Sequence, residues 1–338
     1  MCDGHHPLTP DMRHVVLRTE GLWDEVRGGN VFVTGGTGFI GRWLLESFLW
    51  ANDKLALHAR VLVLSRHPDA FARACPRLAD HPAMTLLRGD CRTFEHPDGE
   101  FSHVLHLAKE SGPPALAPGT RQVLEFAASH GATKLLFTSS GAVYGGQPRD
   151  CERLREDYGG MPSPEDRHAE YALAKQTGER MCSAVSADSQ VRAKIARCFT
   201  FVGPYMDFDA GYAIGNFIRD AVCADAVQVS GDGTALRSYL YAADLAVWLW
   251  TILFTGEDAA PYNVGSPDPV AIGDVARLVA RVAGGTKPVR TARAPDQEPA
   301  PPERYIPDTS RAALLGLRVE IGLEDAVRRT VDWYRSTL

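Results

Sequence analysis

The stretch from Asn30 to Gly41, NVFVTGGTGFIG, restricts the fold more than any other part of the chain. Asn30 to Thr34 reads as a short buried strand, and an apolar stretch with helical spacing runs from Phe39 to about Trp50. Between them Gly35, Gly38 and Gly41 fall at a G-x-x-G-x-x-G spacing. A strand that feeds a helix through small residues lets backbone N–H groups approach a pyrophosphate, and the helix N-terminus adds positive potential. A Gly-rich hexapeptide alone is equally the mark of a tight turn that binds nothing. Here the preceding strand, the following amphipathic helix and the pair Thr34 and Thr37 supply the required context. Dinucleotide contacts are therefore expected from Gly35, Thr37, Gly38, Phe39, Ile40 and Gly41.

Further along, apolar runs at Val61–Leu64, Met84–Leu87, Phe101–Leu107, Lys134–Thr138 and Ala193–Phe199 read as strands. Helical spacing is found at about Thr120–His130 and Glu170–Ser186. Strands and helices alternating at this length predict an α/β fold with a doubly wound parallel sheet of the Rossmann type. Beyond Pro204 the pattern loosens. A helix is expected at Tyr212–Ala224, a strand at Ala226–Ser230, a buried helix within Tyr239–Phe254, a last strand at Tyr262–Val264 and an amphipathic closing helix at Leu323–Tyr334. This divides the chain into an N-terminal helical extension (1–29), a dinucleotide-binding domain (30–200) and a smaller substrate lobe (201–338) that sends segments back to the first. In the extension, Leu17, Leu22, Trp23 and Val26 predict a short helix on the outside of the core.

The end of the second strand reads Leu64-Ser65-Arg66-His67. In a dinucleotide fold this position faces the adenosine ribose, where an acid selects NAD by accepting from the 2′-hydroxyl. A hydroxyl beside a guanidinium suits a 2′-phosphate, because arginine matches phosphate oxygens bidentately. NADP(H) is accordingly preferred, with NAD(H) the alternative. The rival acid, Asp53, is placed in the loop before that strand. Asp90 is expected to accept from the adenine amino group. The assigned contacts continue with Cys91, Leu107, Ala108 and Lys109.

The 338-residue chain is 45% hydrophobic and 23% charged, with a net charge of −6. No overall basic surface is available for nucleic acid. Seven scattered cysteines contain no C-x-x-C, and His103 and His106, three apart on a strand, face opposite sides. Neither zinc nor a disulfide framework is suggested, and no other metal site is expected. The start MCDGHHPLTPD lacks a signal-peptide pattern, and the most apolar stretch, Tyr239 to Phe254, contains Asp244 and is short for a bilayer span. A cytoplasmic protein without membrane contact is expected. Arg293 to Pro302 is Pro-rich and reads as an exposed loop.

Tyr171 and Lys175 lie four apart on a predicted helix, so their side chains share a face. Ser140 ends the fifth strand, where a doubly wound sheet opens its ligand crevice. A phenol titrates near pH 10, and an adjacent ammonium lowers that value. Such a tyrosine can donate a proton to a carbonyl oxygen, or take one from a hydroxyl, as hydride moves at the same carbon.

Taken together, TGGTGFIG, SSGAVYG, YALAK and GDGTALRSYLYAADLA resemble the extended short-chain dehydrogenase/reductase family of NAD(P)-dependent nucleotide-sugar enzymes, from about Asn30 to the C-terminus. The resemblance implies Ser140, Tyr171 and Lys175 as the catalytic triad, with Lys175 also holding the nicotinamide ribose. It implies Arg237 as the grip on the sugar-nucleotide pyrophosphate, Asn216 as a nucleotide contact and Arg304, in ERYIPDTSRA, as a contact from the C-terminal lobe. A homodimer through helices is a further implication.

Three departures from the family pattern narrow the reaction. Dehydratases of the family carry an Asp-Glu pair after the catalytic Ser or Thr, and decarboxylases keep the Glu. Gly141 and Ala142 stand here, so elimination and decarboxylation are both disfavoured. Thr200 replaces the family's Asn at another substrate contact. The stretch Lys109–Pro118 is shorter than usual, which bears on cofactor cover and on the helical dimer interface. What remains is an NADPH-dependent ketoreductase acting on a nucleotide-linked 4-keto-6-deoxyhexose, dTDP-linked by preference. The first alternative is a nucleotide-sugar 4-epimerase with tightly held NAD. The second is a non-catalytic NADP-binding sensor, which the presence of both Tyr171 and Lys175 disfavours.

Overall fold

The computed structural model describes residues 7–109, 117–166, 169–293 and 302–338. Glu110 and Ser111, most of the short Lys109–Pro118 stretch, most of the Pro-rich loop and the first six residues lie outside them.

Seven strands form the central sheet: β1 (Asn30–Thr34), β2 (Arg60–Ser65), β3 (Met84–Arg88), β4 (His103–His106), β5 (Lys134–Ser140), β6 (Arg192–Cys198) and, later in the chain, Pro261–Val264. Between β6 and that last strand come four short ones: β7 (Phe201–Val202), β8 (Val227–Val229), β9 (Leu236–Arg237) and β10 (Leu240–Tyr241). Pro261–Val264 is therefore β11, and β12 (Val270–Ala271), β13 (Val289–Thr291) and β14 (Arg304–Tyr305) follow it. The central sheet is parallel throughout, in the order β11-β6-β5-β4-β1-β2-β3. Chain order reverses between β1 and β4, and the crevice of such a sheet opens at the carboxyl ends of those strands. Thr34 pairs with His106 there.

Alternation along the strands builds two cores. Val31, Val33, Leu105 and Leu136 face one layer, made with helices α2 (Phe39–Lys54) and α8 (Ala242–Thr255). Phe32, Val104, Leu135 and Phe137 face the other, beneath α5 (Pro118–Ser129) and α6 (Ala169–Asp188). Helix α8 is buried on every side from Ala242 to Phe254, as expected of a helix apolar all round.

The N-terminal segment differs from expectation. It forms a helix, α1 (Thr9–Arg18), and a 3-10 turn (Trp23–Val26), and Met12, Val15, Trp23 and Val26 are fully buried in the main core. Trp23 packs on Trp250 of α8 with ring centroids 4.8 Å apart. Leu17, one of the four residues used to predict the helix, is exposed. The apolar side of α1 covers α8, so the extension belongs to the core and not to its outside. Asp53 also moves: α2 continues to Lys54, and Asp53 sits in its last turn beside His81 (3.2 Å). Helices α3 (Pro68–Ala74) and α4 (Pro76–Ala79) follow β2, while α7 (Ala213–Cys223), α9 (Ile272–Val282), α10 (Ser310–Ala313) and α11 (Leu323–Thr337) complete the chain. Among the described residues no helix is long and apolar enough to cross a membrane, and no cluster could hold a metal ion.

Candidate active site

The Gly loop leaves β1 at the crevice. Gly35 has φ +70°, and a Cβ there would lie 2.5 Å from the Ala108 nitrogen, so the Leu107–Ala108 backbone closes directly against it. A Cβ on Gly41 would lie 2.4 Å from the Cα of Gly36, which lets the first turn of α2 pack on the loop. Gly38 caps α2 without a side-chain bond, and a Cβ there would meet only the Gly35 carbonyl at 3.5 Å. That face is open, beside the unsatisfied N–H groups of a helix start. Thr37 uses its carbonyl to accept from Arg42 Nε (3.0 Å), and Phe39 and Ile40 are half-buried. Beneath the loop, Thr34 Oγ1 is 2.7 Å from His106 Nδ1, and His106 Nε2 is 3.0 Å from Thr120 Oγ1. Burial foremost, and then the Lys175 charge, push the His106 imidazole down to about 3, so it is a neutral strut.

At the end of β2, Ser65 is buried and its Oγ accepts the His67 N–H at 3.2 Å. The Arg66 side chain is exposed, and among the described residues no hydrogen bond or ion pair holds its guanidinium. Arg88 reaches the Arg66 carbonyl (3.5 Å) and pairs with Asp69. Asp90, expected to wait for an adenine amino group, is already engaged: the Arg92 N–H, Nε and Nη2 all donate to it at 2.9 Å. Arg92 holds that carboxyl down at about 2. Cys91 is half-buried beside it.

Helix α6 presents Tyr171 and Lys175 to the end of β5. Lys175 is buried and donates to the Thr138 carbonyl at 2.7 Å, with its Nζ 4.8 Å from the Phe137 ring centroid and 5.9 Å from that of Tyr171. Tyr171 lies beside Ser140, whose Oγ accepts the Ala142 N–H at 3.1 Å. Lys109 reaches over the Tyr171 ring, 5.5 Å from its centroid, joining the segment after β4 to α6. The three residues singled out as a triad therefore converge. One expectation reverses in this state: burial raises the Tyr171 phenol above its ordinary value, and Ser140, not Lys175, supplies the opposing pull. The Lys175 ammonium is directed at a backbone carbonyl.

Residues assigned to substrate come from four separate segments. Arg237 on β9 and Tyr305 on β14 are register partners, as are Leu236 and Arg304. Arg237 Nη2 bonds the Glu303 carboxylate at 2.5 Å. Asn216 is half-buried on α7. Thr200 Oγ1 and Arg304 Nε are buried with no hydrogen-bond partner, as is Ser238 Oγ next to Arg237. A buried polar atom without a partner is costly unless something supplies one.

A family model described as the NAD-dependent epimerase/dehydratase family matches residues 31–265. The chain belongs to this family. It is an NAD(P)-dependent oxidoreductase of the extended short-chain type. Among curated relatives, UDP-glucuronic acid decarboxylase 1 of Xenopus tropicalis is 28% identical over 91% of this chain and 72% of its own. UDP-glucuronic acid decarboxylase 6 of Arabidopsis thaliana is 27% identical over 91% and 89%. Among solved structures, MoeE5 in complex with UDP-glucuronic acid and NAD has a TM-score of 0.72 at 25% identity, covering 92% of this chain and all of that one. The UDP-glucose 4-epimerase of Thermus thermophilus, in complex with NAD, has a TM-score of 0.71 at 26% identity, covering 91% and 100%.

Two groups at this epimerase/dehydratase-type site escaped the sequence reading. Tyr305 arrives from β14 beside Ser140, its hydroxyl 2.5 Å from where a Cβ on Gly141 would lie. Its neighbour Arg304 had drawn notice through ERYIPDTSRA, but no spacing rule links residue 305 to residue 140. The second is the bidentate pair Arg197–Glu179 behind the triad.

Proposed function

We propose that the protein moves hydride at C4 of a nucleotide-linked hexose without elimination, as an NADPH-dependent ketoreductase of a 4-keto-6-deoxyhexose, with a dTDP-sugar the first choice. The observation that carries this reading is the convergence of Ser140, Tyr171 and Lys175 beside two positions, Gly141 and Ala142, that bear no proton-transfer group. The open Gly38 face, the amides that begin α2 and the unpaired Arg66 guanidinium fit a dinucleotide carrying a 2′-phosphate. Gly35, Thr37, Phe39, Ile40, Gly41, Ser65, Cys91, Leu107, Ala108 and Lys109 complete that contact surface, and Asp90, held by Arg92, accepts from the adenine amino group. The nicotinamide supplies the hydride when bound. Tyr171 protonates the developing C4 alkoxide, Ser140 orients that oxygen, and Lys175 holds the ribose and keeps positive charge beneath the phenol. Arg237 releases Glu303 to take the pyrophosphate. Thr200, Asn216 and Arg304 complete the sugar and nucleotide contacts, which gives the unpartnered Thr200 and Arg304 atoms their ligand. All six cysteines among the described residues are free, which suits a reducing cytoplasm, and a homodimer is retained as part of the reading.

A 4-epimerase that oxidises and re-reduces C4 with retained NAD is the second reading. It is favoured by the two solved relatives above, both of them complexes with NAD. One experiment separates the two. Purified protein is denatured, any released cofactor is identified, and the protein is then assayed with NADPH and a dTDP-4-keto-6-deoxyhexose. Consumption of NADPH with formation of a single C4 alcohol is expected. Bound NAD with interconversion of C4 epimers, and no net NADPH use, would replace the first reading by the second. Carbon dioxide released from UDP-glucuronate at an ordinary rate would overturn both.

A further inference from the structure

Arg237, the arginine assigned to the pyrophosphate, already holds an anion that the chain itself brings to it. Strand β14 pairs with β9 so that Arg304 stands opposite Leu236 and Tyr305 opposite Arg237. That register sets Glu303 at the entry to the pair, where its carbonyl accepts the Leu236 N–H at 2.8 Å. The Glu303 carboxylate meets Arg237 Nη2 at 2.5 Å, while Arg237 Nη1 donates to the carbonyls of Leu236 (2.9 Å) and Glu303 (3.4 Å). The polar neighbours of Arg237 are unlike it, since Ser238 Oγ and Arg304 Nε are buried with no hydrogen-bond partner. The two halves of the ion pair are unequally fixed. The Arg237 side chain is 24% exposed and that of Glu303 74%. Among the described residues the Glu303 carboxylate has no hydrogen bond or ion pair except the one to Arg237.

We infer that Glu303 is a resident competitor of the nucleotide diphosphate: its carboxylate occupies Arg237 until a diphosphate displaces it, and so sets how tightly the site holds its substrate. The inference rests on the nucleotide-sugar reading above. A guanidinium presents the same planar fork to a carboxylate and to a phosphate, so both are partners for Nη2. The carboxylate has the advantage of being tethered beside it. The diphosphate has more charge and more acceptor oxygens. Glu303 leaves easily, because an exposed ion pair contributes little and the released carboxylate is solvated at once. Nη1 can keep its two backbone carbonyls throughout. Apparent affinity is reduced by the fraction of time that Arg237 is uncovered. A nucleoside without phosphates does not use Arg237 and escapes that reduction. The diphosphate is present in the ground state and in the transition state alike, so the competitor acts on KM and not on kcat.

Calorimetry on the full chain tests this, with dTDP, UDP, thymidine and uridine as probes. Glu303→Gln keeps the size of the side chain and removes its charge. It is expected to tighten the better-bound diphosphate about three- to fivefold, the scale of an exposed ion pair, and to leave the matching nucleoside unchanged. Arg237→Met is expected to weaken the diphosphate. Adding Glu303→Gln to it should then gain less than about 1.5-fold, since the contested cation is gone. With a sugar that is turned over, Glu303→Gln should lower KM by the factor seen in calorimetry, with kcat within about twofold. Weaker diphosphate binding by Glu303→Gln would make the carboxylate a support for Arg237 and overturn the inference. Unchanged binding would overturn it too, as would the full gain persisting in the Arg237→Met background. In each of these results Arg237→Met still weakens the diphosphate, and the nucleotide-sugar reading stands. A diphosphate bound equally by the parent and by Arg237→Met, or bound by neither the parent nor Glu303→Gln, would remove the pyrophosphate assignment and the inference together.

Discussion

Tyr171, Lys175 and Glu179 are spaced by four along one face of α6, and all three meet β5, yet the two ends of that face are built oppositely. At the outer end Tyr171 stands beside the Ser140 hydroxyl and Lys175 points its ammonium at the Thr138 carbonyl. At the inner end nothing is spare. Glu179 accepts from Ser139 Oγ (2.5 Å), Arg197 Nε (2.9 Å) and Arg197 Nη2 (2.7 Å). Arg197 also donates to the Tyr144 hydroxyl (2.8 Å) and the Glu156 carbonyl (3.0 Å), and Tyr144 donates on to Asn263 (2.7 Å). The brace behind the proposed catalytic groups is thus closed by protein on every side named. Deleting a group at one end should therefore remove rate without stability, and at the other stability before rate.

The largest effect is expected from Tyr171→Phe. Losing the general acid should cost roughly 10²–10⁴-fold in kcat, with an unchanged melting temperature and unchanged cofactor binding by calorimetry. A variant that reduces the sugar as fast as the parent would erase the contrast between the two ends. Arg197→Met probes the other end. It leaves Glu179 buried without its cation, which should lower unfolding stability by about 3–5 kcal/mol. Chemical denaturation measures this. Folded protein at low temperature should retain kcat within a few-fold, and a collapse of kcat without loss of stability would show that the brace belongs to the chemistry.

Acid sensitivity sharpens the comparison further. His106, under Lys175, is held down to about 3, and His103 to about 4, in each case chiefly by burial, against an ordinary 6.5. Between those values and 6.5 the unfolded chain binds the extra protons. Stability should thus be level above about pH 7 and fall as pH drops through 6.5, by at most ~1.4 kcal/mol per pH unit for each histidine. Urea midpoints across that range check the sign, and His106→Asn should flatten the slope. A parent profile flat from pH 7 to 5 would contradict the neutral struts. The smallest effect concerns Arg66, whose guanidinium makes no hydrogen bond or ion pair among the described residues. Arg66→Ala should weaken NADPH by roughly 1.5–3 kcal/mol, the range for a charged hydrogen bond, and leave NADH nearly untouched. Calorimetry with both cofactors reads it, and equal losses would remove the 2′-phosphate assignment.

What could be read in the sequence was what covalent spacing controls. The Gly loop, the four-residue step from Tyr171 to Lys175 and the strand ending at Ser140 follow from periods of two and 3.6 residues. The same periods found the buried helix before Phe254 and the returning strand at Tyr262. What escaped depends on which distant segments meet. Nothing local to Gly141 announces a phenol from β14, and Arg197 looks like an ordinary strand arginine until Glu179 stands opposite it. Asp90 was identified as a carboxylate near the adenosine end, but the three bonds it accepts from Arg92, two residues on, were not foreseen. The first helix was misplaced because amphipathic spacing shows that one side is covered without showing by what.

That first helix has a consequence for how the chain comes to be folded. Asp11 accepts from the Tyr241 hydroxyl (2.9 Å) and pairs with Arg329 of α11, and His14 bonds Asp244 at 2.8 Å. Helix α1 thus has its partners in α8 and in α11, the latter more than 300 residues downstream. Contacts of such separation form late, since loop closure must come before they reward it. Until α8 has been made, Trp23 and the apolar side of α1 have nothing to pack on, and that apolar face is what a nascent chain would show to chaperones or to other copies of itself.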